Sequence, residues 1–150
     1  MNNKGFTLAE VLVTIGILGI MAAISIPSYI SWLPRHRLQT SARQIYDDLN
    51  LAKMEAVRRN TNICITFSTA NNNYRVFVDA DSNGVYASPP DTILKDNVAL
   101  ENSVKISNTT TIAFNNRGMA AITGNVNVTN PTGTMRISVI TTGNISISTL

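Results

Sequence analysis

Hydrophobic and polar positions follow three different patterns along this chain, one after another. In the first, 24 consecutive residues from Val11 to Pro34 carry no charge, and nearly every residue up to Ile26 is apolar. As a helix at about 1.5 Å per residue, this stretch is about 36 Å long, enough to cross a hydrocarbon core of about 30 Å. Tyr29 and Trp32 follow where interfacial aromatic side chains belong. The pattern predicts one membrane-spanning helix near the N-terminus.

Two prolines lie in the last part of this uncharged stretch. Because proline lacks a backbone N–H and its ring clashes with the preceding turn, we expect Pro27 and Pro34 to kink or locally unwind the helix. A cleaved secretory signal is the alternative interpretation of the stretch. A secretory signal is disfavoured for three reasons: Lys4 is the only basic residue before the apolar stretch, no A-x-A cleavage pattern follows the stretch, and the acidic Glu10 directly precedes it.

In the second pattern, apolar residues recur at alternating spacings of four and three, which places them on one face of an amphipathic helix. The residues of this face are Leu38, Ala42, Ile45, Leu49, Ala52 and Ala56. We expect the helix to end within Asn60–Asn62 and to pack as a stem on the rest of the chain. A coiled coil is the weaker alternative, since barely three heptads exist and the stripe is rich in alanine.

From Asn62 onward the period changes to two residues, which is typical of β-strands. Asn62–Phe67 and Tyr74–Asp79 predict two strands joined by the polar turn Ser68–Asn73. Glycines separate the later candidates, which are Thr92–Leu94, Ser103–Ser107, Thr111–Phe114, Met119–Ile122, Asn125–Val128, Thr134–Ile140 and Asn144–Ser148. The sequence therefore predicts an α+β fold, with a long N-terminal helix packed on an antiparallel β-sandwich-like head.

Composition removes most kinds of enzyme from consideration. Charged residues make up 14% of the chain, against about 25% in an average soluble domain. One cysteine, Cys64, excludes an internal disulfide and a multi-cysteine zinc site. One histidine, His36, makes histidine-based metal or triad chemistry difficult to build, and we expect Cys64 to be a small buried side chain rather than a nucleophile. We predict no enzymatic activity and no catalytic residue.

The segment Gly5-Phe6-Thr7-Leu8-Ala9-Glu10-Val11-Leu12-Val13 resembles the leader junction of type IV pilins and type II secretion pseudopilins. The resemblance implies that a prepilin peptidase cuts after Gly5 and that the new N-terminal residue, Phe6, is N-methylated. It also implies that Glu10 pairs with the N-terminal amine of a neighbouring subunit during assembly. The domains are then a leader over 1–5, a transmembrane helix segment over 6–34, an amphipathic stem over 35–60 and a β-rich head over 61–150.

The chemistry of these residues supports the resemblance. Glycine has no side chain, so a peptidase in the membrane can approach the Gly5–Phe6 bond closely. Cleavage leaves an ammonium on Phe6, four residues before Glu10. In a packed bundle of low dielectric constant, a carboxylate and an ammonium are each costly alone and tolerable together. The pair would give register between subunits more than stability, whereas the alternative makes Glu10 a snorkelling surface acid.

The head resembles the GspH/FimT group of minor pseudopilins and minor pilins. The matching segments are Tyr74–Gly84, Phe114–Gly118 and a closing strand pair around Gly143, and we expect Gly118 at positive φ in a turn. The resemblance implies a β-sandwich head on a long helix, in a subunit of a type II secretion pseudopilus or a type IV pilus. Its implied partners are a prepilin peptidase, other pilin or pseudopilin subunits and the bacterial inner membrane, with the head in the periplasm.

The segment Asp79-Ala-Asp-Ser-Asn-Gly84 matches the opening of a calcium-binding loop, with candidate oxygen ligands at Asp79, Asp81 and Asn83. The match ends there, because the bidentate acid should fall at Pro90 and Asp91 comes one residue late. A tight acidic hairpin turn explains the same residues and is favoured. We therefore predict no cofactor, and calcium at this loop is the open alternative.

Charge bears on nucleic-acid binding. The formal net charge of +3 is too small for a histone-like or ribosomal binder. Residues 102–150 contain three basic residues, Lys105, Arg117 and Arg136, and no acid. Some FimT-type pilins bind DNA through arginines in the closing hairpin, but here Asn144, Ile145 and Ser146 follow Gly143. A DNA-binding minor pilin for DNA uptake is the alternative function, and we expect no nucleic-acid partner.

Overall fold

The computed structural model describes residues 5–150, except for the side chains of residues 27 and 28. The chain divides into two units, the first ending at Leu33 and the second comprising Pro34–Leu150. The helix α1 comprises Leu8–Arg59, and its first part, Leu8–Ile26, is long and apolar enough to cross a membrane. The strands are β1 Asn62–Ser68, β2 Asn73–Asp79, β3 Thr92–Ala99, β4 Lys105–Ile106, β5 Thr110–Phe114, β6 Ala120–Ile122, β7 Gly124–Asn130, β8 Gly133–Val139 and β9 Ile145–Thr149.

The backbone of α1 is helical at both prolines, Pro27 and Pro34. Of the two predicted effects, local unwinding does not occur at either position, and a kink stays a prediction. A proline inside a helix removes one backbone hydrogen bond, but the turns on either side still form theirs. The helix therefore continues through both positions.

The C-terminus of α1 is closed by a left-handed residue. Asn60 has a φ of 53°, its N–H donates to the carbonyl of Val57, and the N–H of Thr61 donates to the carbonyl of Ala56. These are the two bonds of a Schellman motif, in which a residue of left-handed conformation satisfies the last carbonyls of a helix. Asparagine adopts this conformation more readily than most residues. The predicted end of the helix is confirmed.

The stem of α1, residues 35–59, packs one face on the head. All six residues of the predicted apolar face are buried, with Leu38 at 5% exposure and the other five at 0%. They belong to one cluster of buried side chains that also contains residues of both sheets. Burial of each larger aliphatic side chain contributes about 1.5–3 kcal/mol to stability, so the stem is an integral part of the head.

Two antiparallel sheets make up the head. A five-stranded sheet has the order β3-β2-β1-β5-β6, and a four-stranded sheet has the order β4-β7-β8-β9. The central strand β1 pairs with β2 on one side and β5 on the other. Its Ile63, Ile65 and Phe67 enter the main core, whereas Cys64 lies in a second small cluster with Phe77. The predicted α+β class, a long helix on an antiparallel β-sandwich-like head, is confirmed.

Three strands differ from their predicted lengths by three residues or more, and one of them, β7, extends over Gly124–Asn130 instead of Asn125–Val128. β3 continues to Ala99 instead of ending at Leu94, and β4 is reduced to Lys105–Ile106. β3 is an edge strand whose pairing with β2 has register shifts, and most of its residues are exposed or half-buried. An edge strand of this kind does not need alternating apolar residues, because solvent reaches it. The period of two is therefore lost in the second half of β3.

Candidate functional site

The first turn of α1 is closed by a reciprocal pair of side chains, Thr7 and Glu10. The backbone N–H of Thr7 donates to Oε2 of Glu10 at 2.8 Å, and the hydroxyl of Thr7 donates to the same oxygen at 2.9 Å. The backbone N–H of Glu10 in turn donates to Oγ1 of Thr7 at 3.3 Å. This is a capping box, in which the residue before the helix and the third helical residue satisfy each other's free backbone N–H groups.

The capping box fixes where the carboxylate of Glu10 lies. It is held at the N-terminal end of α1, where the free N–H groups and the helix dipole favour negative charge. Gly5 and Phe6 precede the helix with non-helical backbone, and the Phe6 side chain is 89% exposed. Among the described residues, nothing lies within 4 Å of the position that a Cβ on Gly5 would occupy. The bond between Gly5 and Phe6 thus lies outside the helix.

The leader residues 1–4 lie outside the described residues. Sequence reasoning identified Gly5, Phe6 and Glu10 as processing and assembly residues, and these roles stay predictions. It missed Thr7 as the partner of Glu10, although Thr-x-x-Glu before an apolar run is the sequence signal of a capping box.

The large apolar side chains of the first part of α1 are exposed among the described residues. Leu12, Ile20 and Ile24 are 64%, 66% and 73% exposed, and the candidate span Leu8–Ile26 contains no buried residue. A contiguous apolar surface of this kind marks a region that a membrane or another protein covers.

The acidic segment after β2 forms part of a long loop, not a tight hairpin. β2 ends at Asp79 and β3 begins at Thr92, so the predicted tight turn is wrong. Both carboxylate oxygens of Asp79 accept backbone N–H groups, from Asn83 at 3.1 Å and from Gly84 at 2.9 Å. A buried carboxylate that holds a loop by its amides needs many loop residues around it, and a two-residue turn cannot supply them.

Asp91 joins this cluster from the far end of the loop. Its two oxygens accept the backbone N–H groups of Ala80 at 3.0 Å and Ala87 at 2.9 Å. One ligand oxygen from each of Asp79, Asp81 and Asp91 lies within 4.8 Å of the others. Asp91 is one residue later than the bidentate acid of an EF-hand loop, but it still joins the cluster because this loop has a different backbone conformation from an EF-hand loop.

Asn83, the third predicted calcium ligand, is hydrogen-bonded within the loop, and its role as a ligand stays a prediction. Its side-chain amide donates to Oδ2 of Asp81 at 2.6 Å, and its Oδ1 accepts the N–H of Val85 at 2.6 Å. The cluster thus offers three carboxylates to a cation. Its two buried members, Asp79 and Asp91, already serve as hydrogen-bond acceptors for the loop.

Cys64 is buried, and its Sγ donates to Oδ2 of Asp79 at 3.2 Å. Burial raises the pKa of the thiol, and the hydrogen bond to the carboxylate of Asp79 raises it further. A thiol becomes a nucleophile only as the thiolate. The geometry therefore gives Cys64 a packing and hydrogen-bonding part, as the sequence predicts.

A buried acid joins the stem to the five-stranded sheet. Asp48 is 6% exposed, and its carboxylate accepts the hydroxyl of Tyr74 at 2.7 Å and Nζ of Lys95 at 2.6 Å. Burial raises the pKa of the Tyr74 phenol, and the bond to Asp48 adds to this. Sequence reasoning missed this group. The sequence does place Asp48 at the edge of the apolar face, one position before Leu49 and three after Ile45, and this position indicates a partly buried acid.

The turn after β5 holds the closing hairpin close to the end of the stem. Gly118 has a φ of 72°, so the prediction of positive φ is confirmed. Gly143 also has a positive φ of 76°, and a Cβ there would overlap the carbonyl of Gly118. Nζ of Lys53 donates to the carbonyl of Gly143 at 2.9 Å. Glycine at 143 is therefore required both by conformation and by the close approach of two backbones.

Comparison with known families gives two matches. The family described as type II transport protein GspH matches residues 41–143. The prokaryotic N-terminal methylation motif matches residues 1–26, the segment that contains Gly5, Phe6 and Glu10.

A curated relative supports the same class. Pilin-like protein PilA1 of Thermus thermophilus is 32% identical over 87 residues, which cover 57% of this chain and 54% of the relative. The chain thus spans about half the length of this curated relative.

Solved structures share the fold. The type IV minor pilin FimU of Pseudomonas aeruginosa PAO1 has a TM-score of 0.57 at 16% identity, over 78% of this chain and 92% of FimU. The minor pseudopilin EpsH from the type 2 secretion system of Vibrio cholerae has a TM-score of 0.56 at 11% identity, over 75% of this chain and 97% of EpsH. At these identities the likeness concerns the fold. Together with the methylation motif, the GspH match over more than half of the sequence shows that the chain belongs to the GspH family of type IV pilin-like proteins.

Proposed function

We propose that this chain is a minor subunit of a type II secretion pseudopilus or a type IV pilus, with a structural role and no catalysis. Before assembly, residues 6–34 hold it in the bacterial inner membrane, with the stem 35–60 and the head 61–150 in the periplasm. A prepilin peptidase removes residues 1–5 and the new N-terminus at Phe6 is methylated. The subunit then joins other pilin or pseudopilin subunits through its apolar helix.

The observation that carries this proposal is the capping box at Glu10. A carboxylate in a membrane helix is costly unless it has a partner, and here Thr7 supplies two hydrogen bonds to one carboxylate oxygen. Those bonds place the charge at the end of α1 where cleavage creates an ammonium. The remaining oxygen, Oε1, accepts no hydrogen bond from the described residues. A neighbouring subunit's ammonium can therefore bind Glu10 without displacing Thr7.

The outward-facing apolar side chains of Leu8–Ile26 support the same proposal. They surround the helix instead of forming one stripe, which is typical of a helix that is covered on all sides. Lipid covers this surface before assembly, and the apolar helices of neighbouring subunits replace the lipid in the filament. The exchange is possible because both environments are apolar, so the charge pair at Glu10 decides register.

The experiment that tests this role is replacement of Glu10 in the native host. Glu10→Ala and Glu10→Gln both remove the charge, but glutamine keeps an oxygen that Thr7 can bond. We expect both variants to insert into the membrane, since loss of a charge favours insertion, and both to be depleted from sheared filaments. Immunoblots of membrane and filament fractions measure this.

Glu55→Gln is the matched control. Glu55 is an acid of the stem whose partners, Arg58 and Arg59, lie on the same helix. This variant should assemble like the parent. Assembly of Glu10→Ala at the parental level would show that Glu10 has no part in register.

DNA capture for uptake is a second candidate function, and one observation favours it. Lys105 pairs with Thr129, and Arg136 pairs with Asn127 two residues away on the same strand, so the register places both cations on one face of the four-stranded sheet. Nε of Arg136 is engaged by Asn127 at 3.1 Å. Two or three phosphate contacts give weak binding that falls steeply with salt, which is why we prefer the structural role.

A polarisation assay separates the two functions. The full chain in a neutral detergent should not bind duplex DNA at physiological salt. Micromolar binding that weakens steeply with salt, and that Arg136→Ala or Arg117→Ala abolishes, would make DNA capture the better assignment.

A further inference from the structure

Several basic residues of the head have a charged partner, whereas the arginines at the start of the stem have none among the described residues. Further along the chain, Arg58 and Arg59 bind Glu55, Arg75 binds Asp96 and Lys95 binds Asp48. Within residues 5–150, the side chains of Arg35, Arg37 and Arg43 make no ion pair and no hydrogen bond to another described residue. No acidic residue occurs between Glu10 and Asp47. The first turns of the stem, residues 35–42, therefore carry Arg35 and Arg37 and no acidic residue.

One of these arginines lines a cavity. The cavity has a volume of about 210 Å³, and its polar lining consists of Arg35 and Gln39 from the stem, Thr132 and Thr134 at the β7–β8 turn and Thr149 of β9. The guanidinium of Arg35 and the side-chain amide of Gln39 donate to no other described residue. The cavity thus presents unpaired donors to whatever enters it.

The β7–β8 turn is fixed beside Arg35. The side-chain amide of Asn130 donates to the carbonyl of Pro34 at 2.7 Å. The backbone N–H and the hydroxyl of Thr132 both donate to Oδ1 of Asn130, at 3.0 and 2.7 Å. These bonds anchor one wall of the cavity to the residue that precedes Arg35, so the cavity is a built feature of the head.

The position of Arg35 in the sequence indicates which ligand is near. Arg35 is the first charged residue after the uncharged stretch and follows Trp32 by three residues in the sequence. Tryptophan belongs at the level of the lipid headgroups. A guanidinium binds phosphate oxygens in a bidentate manner.

We propose that the cavity beside Arg35 binds the phosphate of an anionic phospholipid from the membrane in which the apolar helix is held. Arg35 and Gln39 donate hydrogen bonds to the phosphate oxygens, and Arg37 adds positive charge nearby. If the subunit is assembled as proposed above, this lipid holds the stem at a defined height in the membrane and is released when the subunit enters a filament.

Native mass spectrometry of the full chain in a neutral detergent tests the proposal. Phosphatidylglycerol is added in one arm, and diacylglycerol, inorganic phosphate or duplex DNA in the others. We expect one phosphatidylglycerol per chain, no retained diacylglycerol and no competition by inorganic phosphate at the same concentration. Arg35→Gln should weaken lipid binding about tenfold, the loss typical of one hydrogen bond to a charged group.

Arg117→Gln is the matched control, because Arg117 is also exposed and its side chain makes no bond within the described residues. It lies next to Gly118, which approaches Val57, about 33 Å along the helix from Arg35. This variant should bind the lipid like the parent. Equal weakening by both substitutions, unchanged binding by Arg35→Gln, equal competition by inorganic phosphate, or displacement of the lipid by DNA would each overturn the proposal.

Discussion

The two ends of α1 have opposite relations to the rest of the chain. In Leu8–Ile26 the large apolar side chains are exposed, whereas in the stem the face from Leu38 to Ala56 is buried in the core of the head. Both segments are helical and rich in apolar residues, but only the stem has polar residues at the remaining positions. A helix that is apolar all round must be covered on all sides, and a helix with one apolar stripe needs a single partner.

This difference assigns two tasks to one helix. Strands from both sheets cover the buried apolar face of the stem. The exposed apolar surface of the first part needs lipid or other helices to cover it, so its environment depends on molecules outside the chain. On the function proposed above, membrane anchoring and assembly belong to the same surface.

The largest expected effect comes from shortening a buried side chain of the stem and an exposed one of the first part of α1. Leu49→Ala in the stem should lower the free energy of unfolding of the head by about 2–5 kcal/mol, because it leaves a cavity at a fully buried site. Leu18→Ala makes the same chemical change at a side chain that is 59% exposed and should leave head stability unchanged. Thermal unfolding of the full chain in detergent, followed by near-ultraviolet circular dichroism, measures both.

An equal loss in the two variants would contradict this account of α1. So would a neutral effect of Leu49→Ala, because it would mean that the stem is not part of the core.

An intermediate effect is the loss of stability at alkaline pH, which depends on two buried side chains of the head. Burial raises the pKa of both the Cys64 thiol and the Tyr74 phenol. Their contribution to stability is complete at low pH and is lost as the unfolded chain ionises, above about pH 8.5 for the thiol and about pH 10 for the phenol. Each group then lowers stability by up to about 1.4 kcal/mol per pH unit.

Two variants isolate these groups. Cys64→Ala should flatten the decline that begins near pH 8.5, and Tyr74→Phe should flatten the part above about pH 10, as measured by urea unfolding across that range. Since each variant also changes packing, the slope against pH is the informative quantity, not the stability at one pH. If stability falls with pH in both variants as steeply as in the parent, burial does not keep either group protonated in the folded chain.

The smallest expected effect is that of calcium on the loop after β2. Backbone amides already occupy the carboxylates of Asp79 and Asp91, and we expect the loop to fold without a metal. Added calcium should therefore shift the Tm of the head little or not at all. A shift of several degrees at about micromolar calcium, in proportion to site occupancy, that Asp81→Ala removes would assign the cluster of three carboxylates to a cation.

Sequence patterns predict the parts of the fold that local periodicity controls. The stem face follows from its spacing, and each predicted strand has a counterpart, since apolar alternation survives wherever one side of a sheet is buried. The length of β3 does not follow, because it is an edge strand with solvent on much of its surface. The sequence pattern also does not predict helical backbone at Pro27 and Pro34. A single proline removes one backbone hydrogen bond, and the helical turns on either side of it keep theirs.

The candidate site divides in the same way. Gly5, Phe6 and Glu10 are adjacent in the sequence, so a motif can identify them, and Thr7 could have been added from the capping-box spacing. The contact of Asp91 with Asp79 and the bonds of Asp48 to Tyr74 and Lys95 join distant segments. Such contacts depend on strand register, which local patterns do not specify.

Processing at the Gly5–Phe6 bond is the central claim, and mass spectrometry of the protein from its native host tests it most directly. The account predicts a mature chain that starts at Phe6 and carries one added methyl group on its N-terminal amine. Gly5→Ala should reduce this processing, because a side chain then lies beside the bond to be cut. An unprocessed chain, or a chain cleaved near residue 25 as an ordinary secretory signal would be, would contradict the account.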